Sequence, residues 1–283
     1  MITSPAPLTI LLARDPGGLT LPGTRGALRV TRDPARALEA RRLLVLAQAT
    51  HLAAVAQPAS AANRAHRLVG LLVREDVSPR WVPQMMREAG LGLSERVHSH
   101  ADDAVPQRVL TAHRMGAAAE SIADATCVED TLVLLGCDFA RHRIPVAAVT
   151  ALRRLGKRQR GAFAIADDGA CLHWPVPDLH LTLDTLLAAI DPARDRANRL
   201  QALQADRAFG AAVRTLRRSR GLTQDAVVGI SPRQLRRIEG GGAGSVLKDR
   251  VLEALAEAHG VTPDAYLEQL AGVIGRAAPH SRE

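Results

Sequence analysis

Two short stretches of the chain bring metal-ligating side chains together. HSHADD (98–103) places His98, His100, Asp102 and Asp103 within six residues. Imidazole nitrogens and carboxylate oxygens are the donors that a zinc-like ion takes. A catalytic ion needs further ligands, and no strong second cluster is visible, so the stretch is expected to be a polar loop without a metal. HWPVPDLHL (173–181) offers His173, Asp178 and His180 at a spacing that could suit a metal. A third pattern is cationic: RRLGKRQR (153–160) has five basic residues in eight. Such runs usually form a solvated face, with a supplementary phosphate contact as the alternative. The fourth pattern is the richest. Between Arg207 and Gly241, eight arginines stand against two acids, Asp225 and Glu239. A local excess of that size is the electrostatic footprint of a nucleic-acid surface.

Patterns that would signal catalysis are missing. There is no G-x-S-x-G, no phosphate-binding loop of the G-x-x-x-x-G-K type and no dinucleotide fingerprint. GGGAG (240–244) follows a helical pattern rather than a strand, so it reads as a helix stop and turn, not a phosphate cradle. The chain is therefore expected not to be an enzyme, with no catalytic residue, cofactor or metal.

Composition narrows the partners. The 283 residues carry a formal charge of +8, and only Lys157 and Lys248 are lysines. Arginine makes bidentate contacts with phosphate and guanine more readily than lysine does. Aromatics are 2%, so stacking platforms for single strands are scarce and duplex recognition through phosphates and grooves is favoured. Three cysteines without a C-x-x-C pair argue against a disulfide framework and a thiolate zinc site. No apolar run approaches 18 residues and the N-terminus lacks a basic start. No membrane span or signal peptide is expected, and a cytoplasmic location is the default.

These patterns must be positioned by folded elements. Over 1–118, apolar runs LTILLA (8–13), ALRVT (27–31), RRLLVLAQA (41–49) and RLVGLLVR (67–74) alternate with helical patterns, which predicts a parallel α/β layer. Asp33 and Pro34 open a helix as cap and first residue. The Ala-rich stretch 50–67 predicts a helix broken at Pro58, and 78–91 a further helix. VPQRVLTAHRMGAAAESIADA (105–125) has a helical pattern throughout. The order loosely resembles receiver-type or other flavodoxin-like domains. Receivers need clustered acids after the first strand and an Asp ending the third. Here Arg14-Asp15 and Ala47-Gln48-Ala49 occupy those places. A structural or ligand-sensing role follows, rather than phosphorylation.

From 130 the texture changes. DTLVLLGCDF and HRIPV predict two strands, VAAVTALRRLG a short helix, and RGAFAIADDGACLHWP two strands joined at Asp168-Gly169. LTLDTLLAAI predicts an amphipathic helix. CDFARHRIPV, AFAIADDGACLHWP, DLHLTLDTLL and the DP at 191–192 resemble a small α+β domain of unknown function. That domain often precedes a helix-turn-helix module in bacterial regulators. The resemblance covers about 119–192 and implies that His173, Asp178 and His180 belong to a structural turn. Residues 192–205 predict a helical connector.

In the last part, Phe209, Ala212, Val213 and Leu216 share a helical face, and Gly221 ends that helix. Thr223 caps an expected second helix from Gln224. Ser231, Pro232 and Gln234 open a third as cap, first residue and capping-box partner. Leu235 and Ile238 face inward, which leaves Arg233, Gln234, Arg236 and Arg237 outside. Ser245 and Thr262 cap two more helices. This five-helix pattern, with GLTQ, RRIEG and LAEAHGV, resembles the Cro/repressor (xenobiotic-response-element) family over about 206–272. The resemblance implies that the third helix enters the major groove. It also implies that Gln224 contacts phosphate, that Arg233, Gln234 and Arg237 read base edges, and that Arg236 reaches base or backbone. Its pairing pattern joins Arg217 to Glu239, an ion pair expected to be partly exposed and worth about 1 kcal/mol or less. The span from Thr223 to Ser231 is about three residues shorter than usual. That is close to one 3.6-residue turn, so a second helix of roughly five residues is expected with the following helix still in register.

The expected fold is multidomain: α/β over 1–118, α+β over 119–191, connector 192–205, and an all-α helix-turn-helix domain over 206–283. The expected function is a sequence-specific transcriptional regulator binding double-stranded DNA as a homodimer. An unknown small-molecule or protein signal would act at the N-terminal domain. The alternatives are a metal- or nucleotide-dependent enzyme with a helical targeting appendage, and a low-specificity repair or architectural DNA binder.

Overall fold

The computed structural model describes residues 6–21, 28–91, 95–242 and 249–277. The chain divides into two compact units, Ile2–Ile190 and Asp191–Glu283.

The first unit opens with β1 (Leu8–Ala13), β2 (Leu28–Thr31), α1 (Pro34–Leu38), β3 (Leu43–Gln48), α2 (Leu52–Arg64), β4 (Leu68–Arg74), α3 (Val82–Glu88), β5 (Val97–His100) and α4 (Ala104–Met115). The five strands are parallel in the order β2-β1-β3-β4-β5. This is the flavodoxin-like order, whose crossover point lies between β1 and β3. Leu43–Ala47 and Leu71–Val73 are buried, as expected of strands covered on both faces. Asp33 accepts from the Ala35 amide at 2.9 Å and so caps α1.

One face of this sheet packs against α2 and α3, through Val55, Ala59, Ala62, Val82 and Met86. The other is covered by α4 and by a second sheet. That sheet consists of β6 (Ile122–Val128), β7 (Thr131–Gly136) and β8 (Arg141–Pro145), antiparallel in the order β6-β7-β8. Its Ala123 and Leu135, with Cys137 and Phe139 of the β7–β8 connection, share one core with Leu44, Leu46 and Leu72. Contact is closest at Gly70, where a Cβ would lie 2.1 Å from the Phe139 ring. Two short helices, α5 (Thr150–Arg153) and α6 (Lys157–Arg160), lead to a third antiparallel sheet. It contains β9 (Ala164–Ile165), β10 (Cys171–Trp174) and β11 (Leu179–Thr182), ordered β11-β10-β9. Asp168-Gly169 makes the β9–β10 turn, with Gly169 at φ +77°. α7 (Leu183–Ala188) closes the unit over Trp174, which is fully buried.

Several expectations are corrected here. α2 runs through Pro58 without a break. Burial of Val55, Ala59 and Ala62 on one face carries the helix past the single backbone bond that proline forfeits. HSHADD is not all loop, because Val97–His100 is the edge strand β5. The pattern 105–125 is not one helix. α4 stops at Gly116, which has a left-handed backbone, and 122–128 pairs with β7. Residues 181–182 of the helix expected over LTLDTLLAAI (181–190) instead end β11 (Leu179–Thr182). In the three strand cases long-range pairing overrides a local pattern.

The second unit begins with α8 (Pro192–Ser219), a 28-residue helix capped by Asp191, whose carboxylate accepts from the amides of Ala193 and Arg194. The expected connector 192–205 is continuous with the helix over 209–219. α9 (Pro232–Glu239), α10 (Asp249–Ala258) and α11 (Pro263–Ala277) follow. They bury Val213, Leu235, Leu255, Tyr266 and Leu270 in one core. Thr262 caps α11 by accepting from the Ala265 amide at 3.3 Å. The expected Ser245 cap lies outside the described residues. Among the described residues, no helix is long and apolar enough to cross a membrane.

Candidate nucleic-acid interface

The expected second helix of the motif is absent. Residues 222–231 form successive turns, with one backbone bond from the Ala226 amide to the Thr223 carbonyl at 3.3 Å. A five-residue helix gains too few bonds to offset nucleation. Val227 and Val228 are β-branched, and Gly229 sits at φ +87°. Val227 and Ile230 nevertheless reach the core, 2% and 5% exposed, so the turns supply the apolar contacts that a second helix would have made.

α9 is built to be rigid. Ser231 Oγ accepts from the Gln234 amide at 3.2 Å, and Pro232 holds the first helical position. Leu235 and Ile238 are buried. The helix lies unusually close to α8, since a Cβ on Gly210 would stand 2.3 Å from the Ile238 carbonyl oxygen and 2.8 Å from the Gly241 amide. Nothing in the apolar periodicity of 209–221 marks Gly210. The only sequence signal is a glycine inside an otherwise regular helix.

Beneath α9 lies an ion pair. Arg217 donates through Nε to Glu239 Oε1 at 2.5 Å and through Nη2 to Oε2 at 3.1 Å. Its Nη1 donates to the Leu222 carbonyl at 2.6 Å. The two side chains are 8% and 3% exposed, so the expectation of a partly exposed pair is corrected: the close approach of α8 and α9 shuts water out. Burial alone would raise the Glu239 pKa. Hydrogen bonds from Arg217 and Gln224, with the charges of Arg217 and Arg214, outweigh it and hold the carboxylate below its ordinary range. Gln224 Nε2 donates to Glu239 Oε2 at 3.0 Å, leaving its second N–H for another acceptor.

Arg233, Arg236 and Arg237 are exposed and Gln234 half-buried. Spaced three and four residues apart, the three arginines share one outward face of α9. Among the described residues none of the three has an ion-pair partner. The structure thus brings Gln224, Arg217 and Glu239 into one network under α9 and places the cationic face above it.

The other sequence candidates are elsewhere, in the first unit. The HSHADD side chains separate. His98 Nε2 meets Asp124 Oδ2 at 2.8 Å, and His100 Nδ1 meets the Asp102 carbonyl at 2.6 Å. Burial lowers the His100 pKa. Asp103 accepts from Arg14 Nη2 at 2.6 Å and lies 3.5 Å from Arg74. Arg14 is buried at the carboxyl end of β1, and its Nη1 has no partner among the described residues. A cleft of about 580 Å³ opens at that end of the sheet, lined by Arg14, Arg32, Gln48 and His51. In RRLGKRQR, Arg160 is paired with Asp130, while Arg154, Lys157 and Arg158 are exposed. His173, Asp178 and His180, by contrast, converge.

No curated protein and no solved structure matches the chain. A family model does match part of it. Residues 208–270 fit the model described as "Helix-turn-helix domain", so this part of the second unit is a helix-turn-helix domain, the module of DNA-binding regulators.

Proposed function

We propose that the chain is a sequence-specific transcriptional regulator that binds double-stranded DNA as a homodimer and carries regulation rather than catalysis. The observation that carries this reading is the outward face of α9. Arg233, Arg236 and Arg237 project from a helix that is capped at Ser231 and seated on α8 through Gly210. A rigid helix presents its side chains to the major groove at fixed spacing, and bidentate arginine reads guanine there. Arg233, Gln234 and Arg237 are the base-edge readers in this reading, and Arg236 reaches base or backbone. Gln224 contacts phosphate with its second N–H while Glu239 holds the first.

One short recognition helix reads few base pairs, which favours two copies on two half-sites. Leu200 and Leu203, 60% and 51% exposed on α8, are apolar surface available to a second copy. A signal at the first unit is supported by the cleft at the carboxyl ends of β1 and β3, the place where sheets of this order bind ligands.

The test is affinity for a selected operator and a scrambled duplex at two salt concentrations. Arg233→Ala or Arg237→Ala should cost about 1–3 kcal/mol on the operator only. Gln224→Ala should weaken both duplexes alike, because phosphate contacts carry no sequence information. Equal losses on both duplexes for the arginine variants would show that they touch only backbone.

A further inference from the structure

We propose that the β10–β11 hairpin is a binding site for a divalent transition-metal ion, with His173, Asp178 and His180 as its protein ligands. The alternation of the strands sets the site. Leu172 and Trp174 of β10 and Leu181 of β11 point into the core. Side chains of the opposite parity, Cys171, His173 and His180, therefore share the outer face. His173 and His180 are directly paired across the two strands. Their rings stack with centroids 4.1 Å apart and planes 9° from parallel. Asp178, in the connecting segment, has a left-handed backbone at φ +60°. Asp tolerates that conformation better than most residues. The turn brings its Oδ1 to 3.2 Å from Nε2 of His173 and 3.2 Å from Nε2 of His180.

Those separations suit a metal. With bonds of about 2.0–2.1 Å, a tetrahedral zinc-like ion sets its ligands roughly 3.3 Å apart. The three donor atoms already lie within 4.8 Å of one another, and the stacked rings must splay apart for both in-plane Nε2 lone pairs to converge on the ion. Two imidazoles and one carboxylate favour Zn²⁺, Co²⁺, Ni²⁺ or Cu²⁺ over Mg²⁺ or Ca²⁺, which take oxygen ligands. The remaining ring nitrogen of His180, Nδ1, lies 3.7 Å from Cys171 Sγ. An outer partner of that kind fixes the ring and leaves Nε2 to face the ion. Three protein ligands leave a position open to water, and the exposure of the side chains (35%, 80% and 56%) makes binding reversible rather than locked in. The ion would tie β10, β11 and their connection together from outside, opposite the Trp174 core.

The experiment uses the full chain, stripped with chelator and titrated with ZnCl₂ by calorimetry and with CoCl₂ by visible absorption. The expected result is one ion per chain, tetrahedral Co²⁺ bands, and no competition from excess Mg²⁺. His173→Ala and His180→Ala should each weaken binding at least tenfold. His98→Ala and His100→Ala should leave it unchanged. The His173 and His180 side chains lie on the outer face, 35% and 56% exposed, and an unchanged Trp174 fluorescence transition reports that each variant folds. Absence of saturable Zn²⁺ and Co²⁺ binding by the unmutated chain would overturn the proposal. So would binding that survives the double variant His173→Ala/His180→Ala.

Discussion

Replacing Glu239 by Gln should destabilise the second unit far more than a surface ion pair would allow. The Glu239 carboxylate accepts three hydrogen bonds, two from Arg217 and one from Gln224. A Gln amide keeps the shape but turns an NH₂ group toward donors. It also leaves the Arg217 guanidinium in a site 8% exposed without its counter-charge. Breaking a buried pair from one side costs about 3–5 kcal/mol. The unit is small and its interior is nowhere far from water, so the lower end of that range, about 3 kcal/mol, is expected. A domain of some 90 residues has roughly 5–14 kcal/mol of stability in all. The melting temperature should fall by roughly 12–24 °C. Both tryptophans, Trp81 and Trp174, are in the first unit, whereas the second is helical throughout its regular elements. The loss should therefore appear in the helical circular-dichroism transition and not in tryptophan fluorescence. It should persist at high salt, because a buried pair is weakly screened. Arg217→Met with Glu239→Leu should recover most of it, since apolar replacement of a whole pair is often neutral. The sign with pH is fixed by the depressed Glu239 carboxylate. Its stabilisation is complete above the unfolded pKa, about 4.3. It is lost as pH falls through the lower folded value, and Glu239→Gln should flatten that acid limb. A shift below about 3 °C, or one abolished by salt, would refute the reasoning.

Two further outcomes follow from the same unit. Gly210→Ala should destabilise it by about 1–3 kcal/mol, the range for overpacking, although Ala at a free helical site would stabilise by up to about 1 kcal/mol. The sign alone decides in thermal melts, because the new Cβ would sit 2.3 Å from the Ile238 carbonyl. Leu200→Glu with Leu203→Glu should make the chain monomeric in sedimentation and weaken binding to a paired operator at least tenfold, with half-site affinity retained. An unchanged oligomeric state would refute the proposed dimer contact at these two leucines.

What the sequence reveals depends on how locally each feature is determined. β1, β3 and β4 are legible as short apolar runs because both faces of the sheet are covered. β5 is not, since VHSH satisfies its polar side chains through distant residues, His98 through Asp124. β6 hides in an Ala-rich stretch that looks helical until β7 pairs with it. At the candidate interface, the Ser231 cap and the inward Leu235 and Ile238 are local and were readable. The reciprocal charges of Arg217 and Glu239 were readable too, but not their burial, which depends on how closely α8 passes α9 at Gly210. The His173–His180 pairing needs the hairpin register, which seven residues of spacing do not specify.

The meeting of Gly70 and Phe139 has a consequence for inheritance. A side chain at 70 and a ring at 139 cannot occupy the same space, so in any lineage position 70 stays glycine for as long as position 139 keeps its ring. The five-stranded sheet and the β6–β8 sheet, which share a core, are therefore poor candidates for independent shuffling. A recombination event between α4 and β6 would bring together surfaces that have not co-evolved. A crossover near Ile190 and Asp191, where the two compact units divide, keeps each unit's own core whole. New combinations of first and second unit should descend from exchanges at that seam.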